Sequence, residues 1–302
     1  MLLILQLFFN FFLLVFTFFV FNKTYSQNYL EYYKLINEAE INSLDKNYVK
    51  ADSLYQMAFS VVEDPFKEDC LLAAKNATQL NNDQKVFDFL IRGIRSGLTL
   101  KRVKYLKKEF LNFFHSKLYK VLKTKYEVLR NKYLKSIDII LRNEISEMIK
   151  NDQKARIPIL GSWKQMKKVD TYNYNRLLEI IKENNDKWPG FSVIGEITPK
   201  GKYDVSGNIA LMLLHFKKEQ IEILKPYMLE AVENGEMYPY QYARIIDYKN
   251  RCQIYGTYKI NNKIESTKIC NCENAEKERE KIGFEPLEDY YRKINSTYEC
   301  KE

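Results

Sequence analysis

The middle of this 302-residue chain lacks the residues that usually interrupt regular structure. No glycine occurs between Gly97 and Gly161, and no proline between Pro65 and Pro158. Through that stretch the apolar residues Leu122, Tyr126, Leu129, Tyr133, Ile137, Met148 and Ile149 recur at helical steps. The pattern predicts one long helix over about 117–152, with 117–150 as a basic connector between two halves. Enzyme signatures are missing as well. There is no Gly-x-Ser-x-Gly, no His-Glu-x-x-His, no Gly-Lys-Ser/Thr phosphate loop and no calcium loop, so the commonest hydrolase, metalloprotease and nucleotide-binding classes lack their marks. No cofactor is expected. Cysteine is sparse, with five residues and none before Cys70, which excludes a lipid-modified N-terminal cysteine. Cys252, Cys270, Cys272 and Cys300 can pair, although four are few for a disulfide framework. The Cys270-x-Cys272 spacing is too tight for a structural zinc site and has no second ligand pair, so no metal is expected.

The chain does have hydrophobic mass: 46% of it is hydrophobic and 14% aromatic, enough to bury a core and to exclude global disorder. The first 21 residues carry no charge and are almost entirely Leu, Phe, Ile and Val. Two readings of that run stand side by side. One is a signal peptide over 1–26 cleaved after Ser26, where Thr24 and Ser26 place small residues at the inspected positions; the other is an uncleaved N-terminal membrane anchor. Both put the body of the protein outside the cytoplasm, as an exported, periplasmic, outer-membrane-associated or secreted chain.

Charge is concentrated. The formal net charge is +9, yet residues 101–135 hold twelve basic and two acidic side chains while the flanks are nearly neutral. Lys101, Arg102, Lys104, Lys107 and Lys108 open this stretch, which reads as an amphipathic helix with a lysine-rich outer face. Such a face is solvated by default. An anionic membrane surface is the alternative partner, and nucleic acid is not expected in an exported chain.

In the first third, Tyr48-x2-Ala51-x3-Tyr55-x2-Ala58 is followed 35 residues on by Val86-x3-Leu90-x2-Gly93. Small residues sit where helices approach, and large ones where they interlock. This alternation resembles the tetratricopeptide repeat, whose period is about 34 and whose helical hairpins stack because none buries its apolar face alone. The resemblance implies helical repeats over 27–116 and a scaffold that contacts protein partners.

From 151 to 302 short polar constellations replace the repeats. Asp152 and Arg156 are four apart and can pair on one helix face beside Gln153. His215 ends an apolar helix and is the residue of this half suited to proton transfer near neutral pH, with Asp152, Asp170 or Asp247 as its carboxylate partner. Gln253 to Lys259 and Ile264 to Ile269, around Asn261-Asn262, predict a β-hairpin, and Gly256 within it suggests a bulge near a pocket.

Together, Asp152-Gln153-x2-Arg156, Asp170-x2-Asn173, Trp188-Pro189-Gly190, Tyr242-Ala243-x3-Asp247, Gln253 to Thr257 and Arg279-x3-Gly283-Phe284 resemble, over about 144–291, an uncharacterised domain family of exported and envelope bacterial proteins. Leu214, Tyr248 and Tyr258 depart from that family's pattern, each toward a less polar residue. The expected fold is mainly α: a helical-repeat segment, a long connecting helix and a C-terminal α+β domain with one small hairpin. The expected function is a protein-binding scaffold. The rival is a hydrolase-like enzyme with His215 as acid/base, a carboxylate partner, Arg156 on an anionic substrate group, and Asn173, Gln253, Tyr255 and Thr257 as binding residues.

Overall fold

A computed structural model describes residues 27–157, 162–197, 208–258 and 268–301. The apolar run at 1–21 and the cleavage position at Ser26 lie outside the described residues, as does the Asn261-Asn262 turn. Among the described residues the chain is mainly helical, with fifteen helices, and no helix is long and apolar enough to cross a membrane.

The first four helices form two hairpins, α1 (Tyr29–Leu44) on α2 (Tyr48–Ala58) and α3 (Lys67–Gln79) on α4 (Asp83–Arg95). Their turns are built alike. Lys46 and Asn81 each take a left-handed conformation, at φ 62° and 52°, and the next residue donates its N–H to a carbonyl five residues back: Asn47 to Asn42 (2.8 Å) and Asn82 to Ala77 (3.2 Å). Every one of these equivalences is 35 residues apart, the offset read from the side chains. Ala51, Tyr55 and Ala58 in one hairpin, and Val86, Leu90 and Gly93 in the other, are buried or nearly so, so the small residues do face neighbouring helices. Tyr32 links the hairpins: its hydroxyl donates to Asp69 at 2.7 Å and accepts the N–H of Phe66 at 3.0 Å.

The basic stretch is not one helix. It is divided into α5 (Leu100–Tyr105), α6 (Leu111–His115) and α7 (Lys117–Ser136), with Lys107 and Lys108 in the turn after α5. The long connector is likewise broken. α7 stops at Ser136, Ile137 is extended, and α8 (Ile139–Ala155) starts afresh. Neither glycine nor proline makes these breaks. Thr99, Ser116 and Asp138 each accept the N–H of the residue three ahead and so start α5, α7 and α8, while α6 starts after Phe110 with no side-chain cap. Asp138 also donates its own N–H to the Val193 carbonyl at 2.7 Å, which fixes the bend against the segment that follows Gly190.

The C-terminal half packs α9 (Trp163–Glu183) on α8, followed by the short α10 (Phe191–Ile194) and α11 (Ile209–Leu213), then α12 (Lys218–Glu233) on α13 (Pro239–Tyr248), and finally α14 (Cys272–Lys281) and α15 (Leu287–Lys293). Most of the expected β-hairpin, 259–267, lies outside the described residues; among those described, β pairing amounts to two isolated bridges, both parallel, joining Ile269 to Gln253 and to Cys300. Two disulfides, Cys252–Cys270 and Cys272–Cys300, flank that point with Cα separations of 5.2 and 5.7 Å. Cys70 is a buried free thiol, and burial raises its pKa.

The N-terminal hairpins and the C-terminal helices share one apolar core. Phe66 packs edge-on to Tyr238, with ring centroids 4.4 Å apart, and touches Phe191. α1 lies against α12 and α15: Tyr33 donates to the Val232 carbonyl at 2.7 Å, Asn37 to Asp289 at 2.7 Å, and Lys293 pairs with Glu40 at 2.6 Å with both side chains buried.

Candidate functional site

The C-terminal end of α8, the N-terminal half of α9 and the end of α11 meet at one polar cluster. Asp152 is fully buried, and its carboxylate is the hub. It accepts from Gln153 at 2.7 Å, pairs with Arg156 at 2.8 Å and faces His215 Nδ1 at 3.0 Å. Arg156 reaches on to Asp170 at 2.5 Å and also donates to the Asp152 carbonyl. The expected i,i+4 pair is therefore present, and of the three carboxylates considered for His215 it is Asp152 that meets the ring. Asp170 joins the cluster through Arg156, while Asp247 is elsewhere.

His215 is 21% exposed at its side chain, so it is neither sealed in the core nor freely solvated. Its backbone is held by Lys249, which sequence reasoning missed: the ammonium donates to the carbonyls of Leu214 (2.7 Å) and Phe216 (2.5 Å), one on either side of the histidine. Burial pulls the Lys249 pKa down to about 8, against the opposing pull of Asp170. Asn173, one turn beyond Asp170, is buried with an amide nitrogen that has no protein partner.

Chemically, an Asp–His pair of this geometry fixes the imidazole tautomer and turns Nε2 outward, where it can take or give a proton. The Asp152 carboxylate is already engaged by Gln153, Arg156 and His215, and the larger cavities are lined by other residues. Among the described residues no group of three or more His, Cys, Asp or Glu gathers as a metal site would require.

The remaining predicted residues form a second, separate knot. Asp247, buried at the end of α13, accepts from the backbone N–H groups of Ile254 (2.7 Å), Tyr255 (2.8 Å) and Thr257 (2.8 Å) and from the Thr257 hydroxyl (2.8 Å). Burial raises its pKa, and those four donors work against the rise. Gln253 bonds both ways with the Tyr258 backbone, and Tyr255 stacks edge-on to Tyr242. Gly256, at φ 67°, lets Ile269 and Leu287 close over the loop where a Cβ would stand 2.7 Å from each. Arg279, fully buried, donates to the carbonyls of Tyr255 and Glu285 and lies 3.7 Å from the centroid of the Phe284 ring. The motifs around Tyr242, Gln253 and Arg279 thus converge on one loop, and Gln253, Tyr255 and Thr257 are buried within it. No family model, curated protein or solved structure matches the chain.

Proposed function

We propose that this chain is an exported binding protein, a helical scaffold and not a catalyst. The observation that carries the reading is the state of the candidate carboxylates. Asp247 is spent holding a loop, Asp170 is held by Arg156, and Asp152, although placed to orient His215, is shared with Gln153 and Arg156, so all three candidates serve contacts within the fold. Export is supported by the uncharged apolar N-terminus and by two disulfides, which persist in oxidising compartments. The 35-residue offset shared by the buried positions and the turns of the two hairpins supports tetratricopeptide-like repeats as the partner-contacting part. The motif resemblance over 144–291, to exported and envelope proteins with no assigned activity, supports the same compartment for the C-terminal half.

Cell fractionation of the tagged full chain, with N-terminal sequencing and cross-linked pull-down, tests it. The expected product starts at Gln27 in an extracytoplasmic fraction and captures the same protein partner as wild type and as His215→Ala. An intact N-terminus in the membrane fraction would replace the signal peptide with an anchor. The Asp152–His215 contact favours the hydrolase reading as runner-up. That reading takes over if no partner is captured and hydrolysis of model esters falls by about 100-fold in His215→Ala, the loss typical of a removed acid/base.

A further inference from the structure

A cavity of about 630 Å³ lies between α3, α5, α7 and α8, away from both polar clusters. Its charged lining is Lys67, Lys101, Arg102, Arg130, Arg142 and Glu196. Two of the cations are neutralised in place. Lys67 pairs with Glu196 at 3.3 Å, both side chains buried, and Arg102 grips Glu68 through Nη2 at 2.8 Å and Nε at 3.1 Å. The other three are not. Arg130 donates to the Gly97 carbonyl at 3.0 Å, and Arg142 to the carbonyls of Ile194 (2.6 Å), Glu196 (3.1 Å) and Ile197 (3.3 Å). Carbonyls satisfy N–H groups without cancelling a full charge. Among the described residues no carboxylate pairs with Lys101, Arg130 or Arg142.

The wall that carries these charges is closely built. Tyr133 stands between Arg130, whose guanidinium lies 4.9 Å from the ring centroid, and Arg142. Gly97 and Gly195 make room for it: each has positive φ, and a Cβ at Gly97 would stand 2.6 Å from the ring while one at Gly195 would strike the hydroxyl. Arg142 binds its proton less tightly than a free guanidinium, first because it is partly buried and further because Arg130 repels it. An anion in the cavity would relieve that repulsion.

Three cations with no paired carboxylate among the described residues, though Arg142 is also drawn by the Glu196 charge, call for a ligand with more than one negative charge. Two planar guanidinium forks and an ammonium suit the oxygens of a phosphoryl group better than a single carboxylate. The space matches a small molecule and is too small for a folded partner or a nucleic-acid strand. Leu98 and the Tyr105 ring offer apolar surface for whatever bears the charge. We propose that this cavity binds a phosphoryl dianion, presented by a small soluble molecule or by a lipid headgroup, through Lys101, Arg130 and Arg142.

Titration calorimetry of the full chain with inorganic pyrophosphate at low salt tests the site. Binding should weaken at least about tenfold in Lys101→Glu and in Arg130→Gln, the loss expected when a charge-assisted contact is removed. It should stay within about twofold in Lys107→Glu/Lys108→Glu, which alters the same basic stretch at exposed positions outside the cavity. Arg142 is better left intact because it also holds three backbone carbonyls. Sedimentation with phosphatidylcholine vesicles, with and without phosphatidic acid, separates the two sources. Vesicle binding that needs Arg130 and is displaced by pyrophosphate assigns the headgroup; pyrophosphate binding without vesicle binding assigns the soluble ligand. No pyrophosphate binding, or equal binding in all variants, overturns the proposal. So does vesicle binding that survives Arg130→Gln and is lost in Lys107→Glu/Lys108→Glu, since the basic stretch would then act as an open charged face.

Discussion

Lys249 shows how one side chain can set the geometry of a site without belonging to it. Its ammonium bridges the carbonyls flanking His215, so it ties the end of α11 to α13 and fixes where the imidazole starts. The cost is burial, which lowers its pKa to about 8 from the usual 10.5. Between those two values the unfolded chain holds a proton that the folded chain has lost, so this group makes stability rise with pH from about 8. Tyr32, Tyr33, Tyr55 and Tyr238 act oppositely: burial keeps them protonated above their ordinary 10.0, and stability falls once the unfolded chain begins to lose those protons. The net rise of stability with pH is therefore confined to a window from about 8 to about 10. Nuclear magnetic resonance of ¹³C-methylated lysines should find one resonance titrating near pH 8, absent from Lys249→Arg. In Asp170→Asn it should move lower still, because the carboxylate that favours the charged form is gone. A chain in which every lysine titrates near 10.5 would contradict this account of how His215 is held.

At the scale of elements, the lesson is in what ends a helix. The helical character of the chain and its two N-terminal hairpins were legible because apolar and small residues repeat at helical spacing and again after 35 residues. The break in the connector is hidden because neither glycine nor proline marks it. Ser116 and Asp138 restart the backbone as a helix by offering a side-chain oxygen to a free N–H, a signal that is plain only once the next turn is known to be helical. The Asp152–Arg156 pair was legible for the opposite reason, as i,i+4 spacing fixes it locally. Asp247 and Lys249 were not, because what they bind is backbone brought in by the tertiary fold. The capping account carries its own prediction for the α7–α8 bend. Asp138→Ala should lower stability by about 1 kcal/mol, while Asp138→Ser, which keeps an acceptor, should stay within a few tenths. Urea unfolding of the two variants measures the difference, and equal losses would mean that the bend is held by the Val193 contact alone.

On the scale of the whole molecule, the question is whether the two halves are mechanically one. Their shared core runs from Tyr32 and Phe66 into Tyr238, and the last helix returns to the first through Asn37–Asp289 and the buried Glu40–Lys293 pair. That last helix is also held covalently. The Cys272–Cys300 bridge closes a sequence separation of 28 residues around α14 and α15, and Cys252–Cys270 closes one of 18 just before it. Loops of this size restrict the unfolded chain enough to contribute about 3 kcal/mol each. Opening the second bridge should thus be felt at the far end of the sequence. In Cys272→Ser/Cys300→Ser, hydrogen exchange should accelerate in α15 and on the face of α1 that carries Tyr33, Asn37 and Glu40. The α3–α4 hairpin, which packs chiefly on α2 and α7, should keep its protection until global unfolding. If α1 exchanged as slowly as in the wild type while α15 opened, the contacts between them would carry no stability, and the hairpins would have to be treated as a body that folds alone. Acceleration in both would mean that the N-terminal hairpins sense the redox state of the C-terminus, since disulfides of this kind stay closed only under oxidising conditions.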